Sequence, residues 1–179
     1  MTKEEKYLQY LESFDVSSLD KKEVVEITLI SYGEPKPYAR PRFTRFGGKG
    51  KKARCYNKRE KYMNDLKDEF KSYLTTDELT KINEAISSMD YTVEVEGKFF
   101  IKIPSNDSIK NRALKQLGYV RPTIARGDVD NYIKLILDVL HDVVYDDDKH
   151  VVKIISDKYY SDTPRIELKI ILHYRKGDS

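Results

Sequence analysis

Residues 127–152 read GDVDNYIKLILDVLHDVVYDDDKHVV, and the rest of the chain takes its place around them. Advancing about 100° per residue puts Val129, Ile133, Ile136, Leu137, Leu140, Val143 and Val144 in one helical sector. Asp130, Lys134, Asp138 and His141 share another. The apolar sector is the expected core face and the charged one faces outward. Tyr132, Leu135 and Val139 form a second apolar strip, suited to a neighbouring element of the chain or to a second copy. Asp128 and Asp130 are two apart and cannot share a helical face, so Asp128 is expected at the cap and Asp130 on the first turn.

Just past this helix stand Asp146, Asp147 and Asp148. Two acidic clusters joined by a short helix can meet at one point. Crowded carboxylates repel one another unless a cation neutralises them, and the natural occupant is a hard, oxygen-seeking divalent ion, usually Mg2+. Each acid also has an ordinary use. An Asp at a helix N-terminus caps it, and Asp130 with Lys134, one turn apart, makes a common i,i+4 ion pair. His141 and His150 have no second histidine or cysteine at ligand spacing, so neither is read as a ligand; His150, beside the triplet, is the better placed of the two.

The run GDVDNYIKLILDVL followed by DDDKHVV resembles the RusA family of Holliday junction resolvases. That family's pattern is DxDN, a lysine four residues after the second Asp, then a DD pair leading into a strand. KPYARPRF, upstream, is similar to the family's basic Arg-Pro-Arg segment, and the resemblance covers residues 24–174. It implies metal-binding carboxylates at Asp128, Asp130 and Asp148, with Asp147 as a further ligand, and a catalytic lysine at Lys134. Asp138 fills an acidic helix position also frequent in such proteins. Asp146 turns the family's pair into a triplet, and His150 stands where a neutral polar residue is usual. The implied activity is paired, symmetric nicking of four-way DNA junctions by a homodimer, with Mg2+ as cofactor and Mn2+ as its candidate substitute, in phage or prophage recombination and repair.

The charge distribution agrees with a nucleic-acid partner. From Lys36 to Arg59 there are ten Lys or Arg residues and no acid. Lys36, Arg40, Arg42, Arg45, Lys49, Lys51, Lys52 and Arg54 are the candidate DNA contacts in this basic arm, residues 36–59. Tyr38, Phe43, Phe46 and Tyr56 are interleaved with them, and Gly47, Gly48 and Gly50 loosen the middle. Such an arm can neutralise phosphates and stack on a splayed base. A charge run is more commonly a solvated loop; here it accompanies a cluster of acids whose substrate would be a phosphodiester. Arg121 and Arg126, just before Asp128, are expected to add phosphate contacts.

A chain of 179 residues suits one domain with a core, here residues 21–179 preceded by a helical extension over 1–20. Charged residues make up 35% and the net charge is +3, too small to decide the partner alone. Cys55 is the single cysteine, which excludes an internal disulfide and a cysteine-based zinc site. With no apolar run of membrane length and a polar N-terminus, a cytoplasmic location is expected.

Residues 3–13 read as an amphipathic helix with Tyr7, Leu8 and Leu11 together. EVVEITLISYG reads as a strand. Asn57 and Glu60 suggest a capping box for a helix running to about Leu74, with Tyr62, Leu66, Phe70, Tyr73 and Leu74 inward. TTDELTKINEAIS continues as a second helix. YTVEVEGKFFIKIP alternates with period two, and Ser105–Gly118 is a short polar helix. HVVKIISDKYY and PRIELKIILHY are expected to pair antiparallel, with Ile166, Leu168, Ile170 and Leu172 inward. This order predicts an α+β domain, a small mixed sheet of about four strands with helices packed on it.

Two other classes compete. A non-catalytic, structure-selective DNA-binding protein would need only the arm. A DxD-bearing nucleotidyl or glycosyl transferase would need a glycine-rich βαβ turn, and none is present.

Overall fold

The computed structural model describes residues 1–13, 22–40, 42–44, 54–56, 58–123 and 127–175, with 42–44 and 54–56 described by backbone alone. Among these residues five α-helices, α1 (Lys3–Ser13), α2 (Glu60–Tyr73), α3 (Thr76–Ser88), α4 (Ile109–Gln116) and α5 (Val129–Leu140), accompany six strands. The strands are β1 (Glu23–Tyr32), β2 (Arg42–Thr44), β3 (Arg54–Tyr56), β4 (Tyr91–Lys102), β5 (Val151–Ser161) and β6 (Arg165–Tyr174). Four of them form a mixed sheet in the order β1-β6-β4-β5, while β2 and β3 make a separate antiparallel ribbon inside the basic arm. The fold is α+β, as expected.

Alternation builds the main sheet. Val25, Ile27 and Leu29 of β1, Val93, Val95, Phe99 and Ile101 of β4, and Ile166, Leu168, Ile170 and Leu172 of β6 are all buried on one face, and the charged residues between them lie on the other. The buried face packs against α2, α3 and α5 in one continuous core.

The expected pairing of β5 with β6 is wrong. Each pairs with β4, which runs between them, so that Phe100 lies opposite both Tyr159 and Arg165. A three-residue connection normally signals a hairpin. Here it crosses the end of β4, where the Ile103 N–H donates to the Ser161 carbonyl at 3.2 Å. The most strictly alternating strand thereby gains two neighbours. β5 lies parallel to β4, an arrangement that needs the long crossover that α4 and α5 supply. At the sheet's edge, β5 leaves Val152, Ile154 and Ile155 exposed.

Helix α5 is more deeply buried than one apolar sector predicts. Ile133, Ile136 and Leu140 are buried as expected, and so are Tyr132, Leu135 and Val139. The second strip therefore serves the same core. The helix stops at Leu140, and Val143 and Val144 are buried by a turn in which Asp142 takes φ 65°. Tyr145 closes that turn, its hydroxyl donating to the Leu137 carbonyl at 2.7 Å.

On α2, Leu66, Phe70 and Leu74 are buried and Tyr62 packs against the core, but Tyr73 is exposed and donates to Glu69 Oε1. Asn57 lies outside the described residues; the N-cap falls on Arg59, with no side-chain cap. A capping box does form one helix later, at α3, where Thr75 and Glu78 satisfy each other's backbone N–H groups. No residue of α1 is buried.

Burial raises the Tyr62 hydroxyl to about 12, whereas in the unfolded chain it ionises near 10. Between those values the folded state keeps a proton that the unfolded state has lost, so stability falls as pH rises through the window. Tyr62→Phe should remove up to about 3 kcal/mol of this alkaline loss, measured by denaturant unfolding at pH 8 and at pH 12.

Candidate active site

The site begins where the basic segment meets the start of α5. Gly127 has φ 121°, and a Cβ there would lie 2.8 Å from Pro37. The next ring along, Tyr38, is anchored by its backbone N–H, which donates to the Asn131 carbonyl at 2.7 Å. From β5, Lys158 Nζ donates to the Gly127 carbonyl at 2.8 Å. Three segments distant in sequence therefore fix the direction in which α5 starts. Gly127→Ala combines a disfavoured φ with a clash against Pro37, and is expected to cost about 1–3 kcal/mol. A thermal melt would show this as a drop of roughly 2–4 °C per kcal/mol in a chain of this size.

Asp128 occupies the N-cap, yet its side chain makes no capping bond. Asp130 is exposed on the first turn and forms no ion pair with Lys134 among the described residues. Lys134 instead places its Nζ 4.6 Å from the centroid of the Tyr38 ring. The ordinary uses open to these acids, cap and i,i+4 pair, are both declined.

The triplet is sorted by its neighbours. Tyr91, the first residue of β4, donates its hydroxyl to Asp146 Oδ1 and accepts the Asp146 N–H. Burial is the main cause that pushes the Tyr91 hydroxyl up, and the Asp146 hydrogen bond adds to it. His150 stacks on the Tyr91 ring at 3.9 Å, with Nδ1 3.0 Å from the Tyr91 carbonyl. Asp147 caps a single 3-10 turn (Asp148–His150), accepting the Lys149 N–H and pairing with Lys149 Nζ at 2.8 Å. These bonds with Lys149 hold the Asp147 carboxyl below the usual carboxylate range. Asp148 has no basic partner among the described residues.

A cavity of about 400 Å³ opens between the helix and the triplet, lined by Leu137, Asp138, His141, Asp146, Asp147 and Asp148. Desolvation raises the Asp138 carboxyl, and the nearby Asp148 charge adds to the rise against the opposing pull of Lys134. Asp148 and Asp138 thus feel one another across this opening. His141, also on the cavity wall, bonds Asp142 through Nδ1 at 3.0 Å. The donor set is carboxylate oxygen, which fits a hard divalent cation. Among the described residues no group of three or more His, Cys, Asp and Glu side chains is gathered closely enough to hold an ion.

The expected DNA contacts are unevenly placed. Arg40 is exposed, whereas Lys36 lies 4.5 Å over the Tyr62 ring. Arg121 pairs with Asp157 at 2.8 Å and stacks on Tyr159 at 3.6 Å, already occupied on the sheet's charged face. Arg42 and Arg54 belong to the ribbon, but their side chains lie outside the described residues, as do Arg45, Lys49, Lys51, Lys52 and Arg126. Tyr38, expected in the arm as a base-stacking ring, is packed against the core.

Sequence reasoning missed Tyr91, Lys158 and Gly127. The glycine directly before Asp128 was the one visible signal. A tyrosine at a strand start and a lysine on a strand carry none.

An uncharacterized protein of Bacillus subtilis (strain 168), YqaN, is 32% identical over 143 residues, which span 78% of this chain and 91% of that protein. The sequence pattern of the family described as Endodeoxyribonuclease RusA matches residues 32–171, from the end of β1 into β6, and takes in every acid discussed above. No helix among the described residues is long and apolar enough to cross a membrane. The chain belongs to the RusA endodeoxyribonuclease family, and is a nuclease by that membership.

Proposed function

We propose that the protein is a divalent-cation-dependent, structure-selective endodeoxyribonuclease that resolves four-way DNA junctions as a homodimer. The observation that carries this reading is the freedom of the charged groups. Asp128 sits at a cap without capping, and Asp130 and Lys134 sit one turn apart without pairing. Such groups are held ready for something else. Asp128, Asp130 and Asp148 would hold Mg2+ or Mn2+, with Asp147 as a further ligand once released from Lys149. When bound, the cation supplies Lewis-acid polarisation of the scissile phosphate and lowers the pKa of the attacking water.

Lys134 contributes positive charge where the transition state gathers negative charge. The carboxylates left around the cavity repel stray phosphates and make DNA entry depend on the cation. Arg40 and the arm residues Arg42, Arg45, Lys49, Lys51, Lys52 and Arg54, with Arg126, would bind phosphates; Lys36 and Arg121 would join only by leaving their present ring partners. A two-fold enzyme suits a near two-fold junction, placing one site at each of two symmetric strands.

The test compares a labelled four-way junction with a matched linear duplex, in Mg2+ and in EDTA. Paired, symmetric nicks confined to the junction and lost in EDTA are the expected result. Tight junction binding with no cut in either metal would replace this reading with a structure-selective binding protein.

A further inference from the structure

Lys134 is flanked on its own helix by Asp130 at i−4 and Asp138 at i+4, the two positions from which an acid most easily captures a lysine. Neither ion pair forms among the described residues. The ammonium lies instead over the Tyr38 ring, 4.6 Å from its centroid. That ring is fixed in three ways, by the Tyr38 N–H to the Asn131 carbonyl at 2.7 Å, by Pro37 seated against Gly127, and by its own packing on the core. Asn131 is the residue after Asp130, so the ring is tied to the same turn that carries the carboxylate.

We propose that Tyr38 is a positioning residue that cradles the Lys134 ammonium and so prevents Asp130 and Asp138 from neutralising it. The inference rests on the role given to Lys134 above. An aromatic face attracts a cation through its quadrupole without cancelling the charge. A carboxylate in the same place would cancel it. The ring thus serves both partners, leaving the lysine its full charge for a phosphate and leaving Asp130 its lone pairs for a cation.

The experiment uses the full-length chain as wild type, Tyr38→Phe and Tyr38→Leu. The phenylalanine keeps the π face and the leucine removes it. Replacing the ring with leucine should lower kcat on a four-way junction about tenfold with KM unchanged, while Tyr38→Phe stays within about twofold, since the ring and not the hydroxyl holds the cation. Calorimetric titration with Mg2+ alone should show weaker binding in Tyr38→Leu, because Asp130 is then paired with Lys134. A third readout needs no cleavage. In the wild type, the Lys134 Cε proton resonance, assigned through Lys134→Arg, should be shifted upfield by the ring current of Tyr38.

An unshifted Lys134 resonance in the wild type overturns the proposal, as does a Tyr38→Leu variant with wild-type kcat and Mg2+ affinity. Equal losses in the leucine and phenylalanine variants do so too. If the wild type binds junctions but cuts none, the nuclease reading fails by itself, and the resonance still decides whether Tyr38 holds the lysine.

Discussion

Asp130→Asn is expected to lower Mg2+-dependent junction cleavage by about a thousandfold, because a metal centre supplies several kcal/mol of transition-state stabilisation and each ~1.4 kcal/mol is a factor of ten. The fold should survive the change. Asp130 is exposed on the first turn of α5 and makes no ion pair with Lys134, so the substitution breaks no ion pair among the described residues. It removes only a favourable charge at a helix N-terminus, about 0.3–1 kcal/mol. Junction binding should be unchanged or tighter, since one phosphate-repelling charge is gone. Single-turnover cleavage and a gel-shift titration in Ca2+ separate the two effects. A variant cutting within tenfold of wild type would place the cation elsewhere, with Asp138 and Asp148 across the cavity as the remaining acids that sense one another.

What could be read from the chain was set by periodicity, and what could not was set by contacts between distant segments. The apolar sector of α5 announces its burial at Ile133, Ile136 and Leu140 through spacing alone. The strip of Tyr132, Leu135 and Val139 is equally buried, but spacing cannot say whether the chain itself or a partner covers it. Strand β4 was legible because its two faces differ. Its neighbours were not, because a short link such as Asp162 to Pro164 looks the same whether it joins adjacent strands or spans the end of a third. At the site, the identities of the acids were legible and their sorting was not. Nothing near Asp146 in sequence indicates that Tyr91, 55 residues earlier, takes it as a hydrogen-bond partner. The i,i+4 rule likewise pairs Lys134 with Asp130, and a ring from the segment after β1 overrides it.

Lys134→Ala is expected to lower kcat by about 10²–10³, the range seen when one preorganised group facing developing charge is deleted. Its Mg2+ requirement should stay that of the wild type, because the side chain forms no ion pair with a carboxylate among the described residues. Thermal stability should barely move, since Lys134 is exposed and the alanine removes a single cation–π interaction with Tyr38. The arginine variant then separates two roles that the alanine cannot. Arg keeps the positive charge but cannot give up a proton in a protein. Lys134→Arg retaining activity within about tenfold would make the lysine an electrostatic stabiliser; activity as low as that of Lys134→Ala would make it the proton donor to the leaving oxygen. Combined with Asp130→Asn, the loss should fall well short of the product of the single losses if lysine and cation act on the same transition-state charge, because groups that work as a unit are not additive. Multiplicative losses would mean that the ammonium on Tyr38 and the carboxylate beside it serve separate steps.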